Sequence, residues 1–470
     1  MTDTHTLEDL DLTRIHLLGI GGAGQNALAD LLVDMGYSLS GSDLKLSATT
    51  EALARRGVTV YEGQRAENLN NVTVVVTTAA ANENNPEIQE ARRKGLPVLQ
   101  NAEMVGLLLN QKRLLSVAGT HGKTTTTGLV AFLLEKAGLD PTFYIGGVST
   151  DLGVAGKAGK GEYAALESDE YARRFLNYRP EAAVITNVEP DHLDYYGTWE
   201  ALQAAFATFA GNIRPGGQLY ICADDAGAVA LKETAQTGAE IFTYGLGPAD
   251  WQATEVQPNA KGGHDFSLKF RGDVLGTVEL GLAGVHNVRN ATGALAMVLT
   301  AAPQVTPEIF IKLAGQYRGT ARRFELKGEA EGVTVIDDYA HHPTEIRATL
   351  AAARARFGPR RLVALFQPHT YTRTKALVDE FAGAFDEADL VALMEIFPAR
   401  ETDTLGVSTG DILDRMGHGG KLAEPLTHAN AASTLNALMR EGDVLLTLGA
   451  GDVWKVGEQV LKARAGKQGL

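Results

Sequence analysis

Short runs of consecutive apolar residues recur along this chain, and longer stretches with apolar positions at helical spacing separate them. The runs predict strands at residues 14–20, 72–77, 114–118, 182–187, 219–223, 333–337, 362–367, 390–395 and 444–448. Each is a continuous run without alternation, the pattern of a parallel strand buried on both faces by helices. The stretches between them, such as 201–210 and 346–356, are Ala-rich with apolar spacings near 3.6 and predict helices. Strand and helix alternating in this way predict an α/β, doubly wound architecture. Residues 240–280 differ: DFSLKF and VLGTVEL alternate apolar and polar positions, which predicts an antiparallel hairpin attached to the middle of the chain.

A length of 470 residues suits three domains at roughly 100–200 residues each. A polar patch at 110–113 precedes a fresh strand, and a helix ends near 315–323 before a new strand-rich unit. Domains are therefore expected at 1–110, 111–320 and 321–470. The formal net charge of -14, with no long Lys/Arg run, excludes long-range attraction to nucleic acid or to anionic membranes. No apolar run approaches the roughly 18 residues of a membrane span. The first residues, MTDTHTLEDLDLT, lack the basic-then-apolar pattern of a signal peptide. The single cysteine, Cys222, rules out an intrachain disulfide and, inside the run LYICAD, reads as core packing. The expectation is a cytoplasmic enzyme without membrane insertion, monomeric or a weak homodimer.

The candidate chemistry sits after strands. Gly19-Ile20-Gly21-Gly22-Ala23-Gly24 follows the first strand, and Asp43 ends the expected second one. Glycines there permit a tight turn, and the helix start can hold a pyrophosphate. On its own the motif fits NAD(P), another nucleotide diphosphate, or a plain structural turn. Gly119-Thr120-His121-Gly122-Lys123-Thr124-Thr125 follows a strand and opens a helix. Its backbone N–H groups can cradle phosphates, Lys123 can reach the β- and γ-phosphates, and the Thr124 hydroxyl can ligate Mg²⁺. Val117 stands where the strict pattern has Gly, so the loop is a shortened variant. Glu167-Ser168-Asp169-Glu170 and Asn187 through His192 crowd acids and a histidine at strand ends, either a solvated loop or a cation site. His286-Asn287-Val288-Arg289-Asn290 opens an Ala-rich helix, where Asn either reads an adenine edge or caps the helix. Asp337 through Pro343 and Phe366 through Thr374 place further titratable groups at strand ends, where open α/β sheets bind ligands.

Taken in order, G-I-G-G-x-G, G-T-H-G-K-T-T-T, T-N-V-E-P-D-H-L-D-Y-Y, H-N-V-x-N-A, R-R-F-E, D-D-Y-A-H-H-P-T-E and F-Q-P-H-T-Y-T-R-T resemble the Mur ligase family from about Ile15 to Asp452. The last two motifs narrow the resemblance to its alanine-adding branch and the related murein tripeptide ligases. The resemblance implies three α/β domains: Rossmann-like, P-loop ATPase-like, and Rossmann-like again. It implies an ATP-dependent ligase of peptidoglycan synthesis whose substrates are UDP-N-acetylmuramate, L-alanine and ATP. The lactyl carboxylate would become an acyl phosphate, which the amine attacks. Mg²⁺ is the implied cation, with Mn²⁺ able to replace it. Gly21, Gly22, Ala23, Gly24 and Asp43 would hold the UDP-sugar, which removes NAD from the first motif. The phosphate loop, with Asn287, Asn290, Arg323 and Asp338, would hold ATP. Thr124, Glu167 and His192 would ligate metal, and His341 and Arg373 would grip the amino acid. Lys123, His192 and His341 would be the catalytic groups.

Three positions depart from the family pattern. Residues 167–176 read E-S-D-E-Y-A-R-R-F-L where many members have E-A-D-E-S-D-x-S-F-L. Thr370 replaces an Arg of some members, leaving Arg373 with more of the carboxylate recognition. Gln25 stands where Met is common, a change expected to be neutral. Two other classes remain conceivable on single motifs. An NAD-dependent oxidoreductase leaves the phosphate loop unexplained, and a nucleotide sensor leaves the amine-side motifs unexplained.

Overall fold

The computed structural model describes residues 6–78, 81–399, 401–417, 419–422 and 424–466, so the first five residues of the polar N-terminus lie outside it. Among the described residues the strands form three sheets. The first is wholly parallel, with spatial order Thr59–Glu62, Leu39–Asp43, Ile15–Leu18, Val74–Thr77, Val98–Gln100. Chain order reverses on the two sides of Ile15–Leu18, the switch point at which doubly wound sheets bind ligands. The glycine turn follows that strand and leads into the helix Ala23–Asp34.

At the centre of the second sheet, Gln218–Cys222, Ala182–Ile185, Arg113–Ala118, Tyr163–Glu167 and Thr142–Tyr144 run parallel. Gly156–Lys157 closes one edge in the antiparallel sense. On the other edge Glu240–Gly245 pairs parallel with Gln218–Cys222, so the start of the expected hairpin belongs to the parallel core. Trp251–Pro258, His264–Phe270 and Asp273–Leu280 then follow as successive neighbours. In the third sheet Glu325–Ala330 lies antiparallel to Val333–Asp338. Val444–Leu448, Leu362–Phe366 and Leu390–Leu393 continue it in parallel.

The chain falls into two compact units. One comprises Met1–Val256, Phe266–Val278 and Arg289–Arg318; the other comprises Gln257–Asp265, Glu279–Val288 and Gly319–Leu470. One cluster runs through the first two sheets, a smaller one around Leu69, Val72, Val75 and Ala91 packs on the first, and both faces of the third sheet carry clusters of their own.

Several strands end earlier than their apolar runs. Residues 14–20 contribute Ile15–Leu18, and residues 182–187 contribute Ala182–Ile185. Residues 362–367 and 390–395 contribute Leu362–Phe366 and Leu390–Leu393. The residues lost from these strands form the loops beyond them. There the backbone leaves the ladder for other partners; Asn187 O, for example, accepts Thr120 N–H at 3.0 Å. The helices are longer than their Ala-rich cores, spanning Trp199–Gly211 and Pro343–Phe357. Capping by Thr198 and His342 adds the first turns.

Candidate active site

The strand Arg113–Ala118 ends in a loop that only glycine can close. Gly119 has φ +135°, and a Cβ there would overlap the Thr186 hydroxyl. Asn187, at the end of the neighbouring strand, pins the loop: its main-chain O accepts Thr120 N–H at 3.0 Å and its Oδ1 accepts His121 N–H at 2.8 Å. Gly122, at φ +82°, caps the helix Lys123–Lys136; a Cβ would fall 2.7 Å from Asn290 Oδ1. Asn290 thus stands against the phosphate loop. Asn287, one turn earlier on the same helix Val285–Ala301, donates to Ala283 O at 2.8 Å. Thr125 continues the helix start, its carbonyl 3.5 Å from the Tyr317 hydroxyl.

Lys123 folds back over the loop. Its Nζ donates to Gly119 O and Thr120 O (3.0 Å) and lies 2.8 and 3.1 Å from the two carboxylate oxygens of Glu170. Glu170 is 1% exposed. Burial pulls the Lys123 ammonium pKa down, but the carboxylates of Glu170 and Asp169 outweigh it, and the net direction is upward. Burial pushes Glu170 up to about 7 against the attraction of Lys123, and the neighbouring Asp169 adds to the rise. The loop therefore keeps Lys123 charged and paired with the buried Glu170.

The expected metal ligands divide into two groups. The Thr124 hydroxyl donates to Glu167 Oε1 at 3.0 Å, and Glu167 Oε2 accepts Gly146 N–H at 2.6 Å. His192 joins Asp169 and Glu170, the ligand atoms of these three lying within 4.8 Å of one another. His192 is itself held left-handed at φ 55° ahead of the short helix Leu193–Tyr196. Both groups offer the hard oxygen donors, with one imidazole, that a nucleotide-bound divalent cation accepts. Asp169 and Glu170 stand in the acid run that reads from sequence as a solvated loop or a cation site, but the resemblance gives them no role, because the residues after them leave the family pattern. The signal was present in the acid run at a strand end. Cys222 is buried, and burial pushes its thiol up to about 11, so it packs and does not react.

In the first sheet Gly22 opens the helix Ala23–Asp34. Asp43 Oδ2 accepts Gly21 N–H at 2.9 Å, so the acid expected to help hold the UDP-sugar also braces the turn. Gly24 admits the Tyr144 hydroxyl, which donates to its carbonyl at 2.9 Å; a Cβ would fall 3.1 Å from that oxygen. Gln25 is buried and donates to Leu18 O and Val76 O, both at 3.0 Å.

Within the second unit, His341 and Arg373 converge on His369. The two histidine rings are 6.0 Å apart, edge to face, and Arg373 Nη1 lies 3.5 Å from His369 Nδ1. Burial, with His341 and Arg373 adding to it, drives the His369 pKa down to about 3. His341 Nδ1 is 3.1 Å from Glu345 Oε2. His369 stands in the F-Q-P-H-T-Y-T-R-T motif, where the resemblance gives a role to Arg373 and none to the histidine. Asp338 accepts Phe324 N–H and Ala340 N–H, both at 2.8 Å, and burial lifts it to about 6 against Arg323. Arg323 lies over the Tyr339 ring at 5.1 Å.

Comparison with known proteins gives this geometry a family. Residues 14–113 match the Mur ligase family catalytic domain, 117–298 the Mur ligase middle domain, and 322–451 the Mur ligase glutamate ligase domain. The chain is 42% identical to a UDP-N-acetylmuramate–L-alanine ligase of Roseiflexus sp. (strain RS-1), over 95% of this chain and 98% of that one. Among solved structures it resembles a UDP-N-acetylmuramate–alanine ligase from Thermotoga maritima. That likeness has TM-score 0.81 and 26% identity, over 97% of this chain and 99% of that one. It also resembles a murein peptide ligase from Psychrobacter arcticus, with TM-score 0.73 and 26% identity, over 96% and 98%.

Proposed function

The chain belongs to the Mur ligase family, and on that premise we propose that it joins L-alanine to UDP-N-acetylmuramate at the expense of ATP, a step of peptidoglycan synthesis. The observation that carries the reading is the phosphate loop. Lys123 is fixed on its floor, and Thr124 and Glu167 stand together at its mouth.

The chemistry requires charge control, because a carboxylate must approach a polyanionic phosphate. A carboxylate oxygen of the acceptor bonds to the γ-phosphorus as the bridging P–O bond breaks, giving an acyl phosphate and ADP. The amine of alanine then bonds to the acyl carbon, phosphate departs, and the nitrogen loses its proton. Lys123 would neutralise the transferring phosphoryl group, with the loop's N–H groups holding its oxygens. Thr124, Glu167 and His192, joined by Glu170, would hold Mg²⁺ or Mn²⁺, whose charge would offset that of the phosphates. Gly21 through Gly24 and Asp43 would seat the UDP diphosphate at the helix start. His341 and Arg373 would take the alanine carboxylate. We assign the three segments 1–110, 111–320 and 321–470 to sugar nucleotide, ATP and amino acid. Among the described residues no helix is long and apolar enough to cross a membrane.

Measuring ADP release with UDP-N-acetylmuramate and, separately, L-alanine, glycine, L-serine or a murein tripeptide tests the reading. Release with L-alanine as the best amine is expected. Preference for the tripeptide would move the chain to the murein peptide ligases, and release with none of them would overturn the proposal.

A further inference from the structure

After Glu170 the chain turns through Tyr171–Asn177, where Ala172 (φ 54°, ψ 27°) and Arg173 (φ 57°, ψ 26°) are both left-handed. Two successive residues with a Cβ rarely adopt that conformation, and neighbours must impose it. The neighbours are visible on both sides. Asp169 Oδ1 accepts Tyr171 N–H at 3.2 Å, its carbonyl accepts Phe175 N–H at 3.0 Å, and its other oxygen pairs with Arg174 at 2.9 Å. Phe175 is buried against Phe206 and Phe209. At the far end Asn177 O accepts Asn110 Nδ2 at 3.0 Å. The strain therefore sits between two anchored ends, and its result is the placement of Arg173.

Arg173 is exposed, and among the described residues no carboxylate pairs with it. Its guanidinium lies 5.7 Å from the centre of the Tyr196 ring, whose hydroxyl donates to the main-chain oxygen of Glu170. The same loop sets Tyr171 against His192, ring centres 4.9 Å apart. Arg173 thus stands at the rim of the cluster holding Lys123, Glu170 and His192. That cluster is acidic: the carboxylates of Glu170, Asp169 and Glu167 act on Lys123, and Asp191 lies 3.7 Å from His192. Lys123 is bound to Glu170, and Arg174 to Asp169. A substrate carboxylate entering this field needs a cation that is not already paired. A guanidinium offers it a fork of two parallel N–H donors.

We propose that Arg173 binds the acceptor's lactyl carboxylate, the group to be activated, and that the left-handed pair exists to hold it there. The proposal rests on the ligase reading. Its test is steady-state kinetics with UDP-N-acetylmuramate and ATP both varied, for the wild type, R173Q, R173K, R173G and A172G. Calorimetric binding accompanies it, with UDP-N-acetylmuramate and with UDP-N-acetylglucosamine, which lacks the lactyl carboxylate. R173Q should raise the KM for the acceptor about ten-fold and leave the KM for ATP within about two-fold. It should weaken binding of the acid-bearing sugar nucleotide and leave the other unchanged. R173K should fall between. R173G should match R173Q in kinetics while melting a few degrees higher, since glycine accepts φ 57° without strain. A172G should also melt higher and, by loosening the turn that places Arg173, raise the KM for the acceptor by less than R173Q does while leaving the KM for ATP unchanged. An unchanged acceptor KM in R173Q, equal weakening of both sugar nucleotides, or an effect on ATP alone would overturn the proposal while the ligase stood. A wild type that ligates nothing would overturn both.

Discussion

At the scale of single residues, the Lys123–Glu170 pair separates a structural role from a chemical one. Glu170 is buried, so deleting Lys123 leaves a carboxyl without its cation, a change that costs about 3–5 kcal/mol when the acid stays charged. Lys123→Ala should therefore lose stability as well as turnover, the latter by about 10³-fold or more. Glu170→Gln in the same chain should restore most of the stability and none of the turnover. Urea melts and ADP release on the single and double variants check this, and recovered turnover would remove Lys123 from phosphoryl transfer. His369 gives a pH test. Its folded pKa of about 3 lies below the ordinary 6.5, so the unfolded chain takes up a proton that the folded chain refuses. Its contribution to stability is therefore complete above pH 6.5 and declines as pH falls towards 3, by about 2 kcal/mol at pH 5. Asp338 acts in the opposite sense. Raised to about 6, it penalises the folded state as pH climbs from 3.8 to 6, so acidification relieves that penalty. Comparison of wild type with His369→Gln isolates the histidine. The variant should lose about 2 kcal/mol less stability between pH 7.5 and pH 5, and parallel curves would place the His369 pKa near its ordinary value.

At the scale of elements, the sequence betrays parallel strands because a strand covered by helices on both faces must be apolar throughout. It is less informative where strands are short or polar. Thr59–Glu62 and Thr142–Tyr144 are only four and three residues long, and Tyr163–Glu167 reads YAALE, an Ala-rich stretch that suits a helix as well as a strand. It is equally silent where function takes the last residues of an apolar run for a loop. The glycine turn and the phosphate loop were legible because their geometry demands glycine at fixed positions. The meeting of Lys123 with Glu170 was not legible, since nothing local couples residues so far apart in sequence. Gln25 shows the same limit. By comparison with relatives its exchange for Met looks neutral, yet its amide ties the helix Ala23–Asp34 to two strand ends and its Oε1 accepts Asn101 Nδ2 at 3.0 Å. Gln25→Met keeps the volume and strands the carbonyls of Leu18 and Val76 in the core. With each unsatisfied buried group costing about 1–3 kcal/mol, a loss of about 2–4 kcal/mol is expected. A denaturation midpoint within error of wild type would show that water or neighbours replace the amide.

At the scale of the whole molecule, the assigned sites are unequally distributed. Every group assigned here to the sugar diphosphate and to the phosphate loop lies in the unit built on the first two sheets. His341, His369 and Arg373 lie in the unit built on the third. Each unit has its own apolar core, so each can lose its structure in its own transition. A ligand that binds only the folded form of one unit adds RT ln(1 + [L]/Kd) to that unit alone. At a concentration about 100-fold above Kd this is about 2.7 kcal/mol. Scanning calorimetry should therefore show UDP-N-acetylmuramate raising one transition and leaving the other in place. The one that stays should be the one that His369→Gln makes less sensitive to acid. The two perturbations are independent, because one acts through ligand mass action and the other through proton uptake by the unfolded chain. If sugar nucleotide and His369→Gln moved the same transition, either the diphosphate assignment to Gly21–Gly24 or the separateness of the units would fail. Repeating the scan with Gly24→Ala decides between these. A Cβ at Gly24 meets the Tyr144 hydroxyl and disturbs the helix start, so it should abolish the sugar-nucleotide shift if the diphosphate binds there. A shift that survives Gly24→Ala would remove the glycine turn from the site.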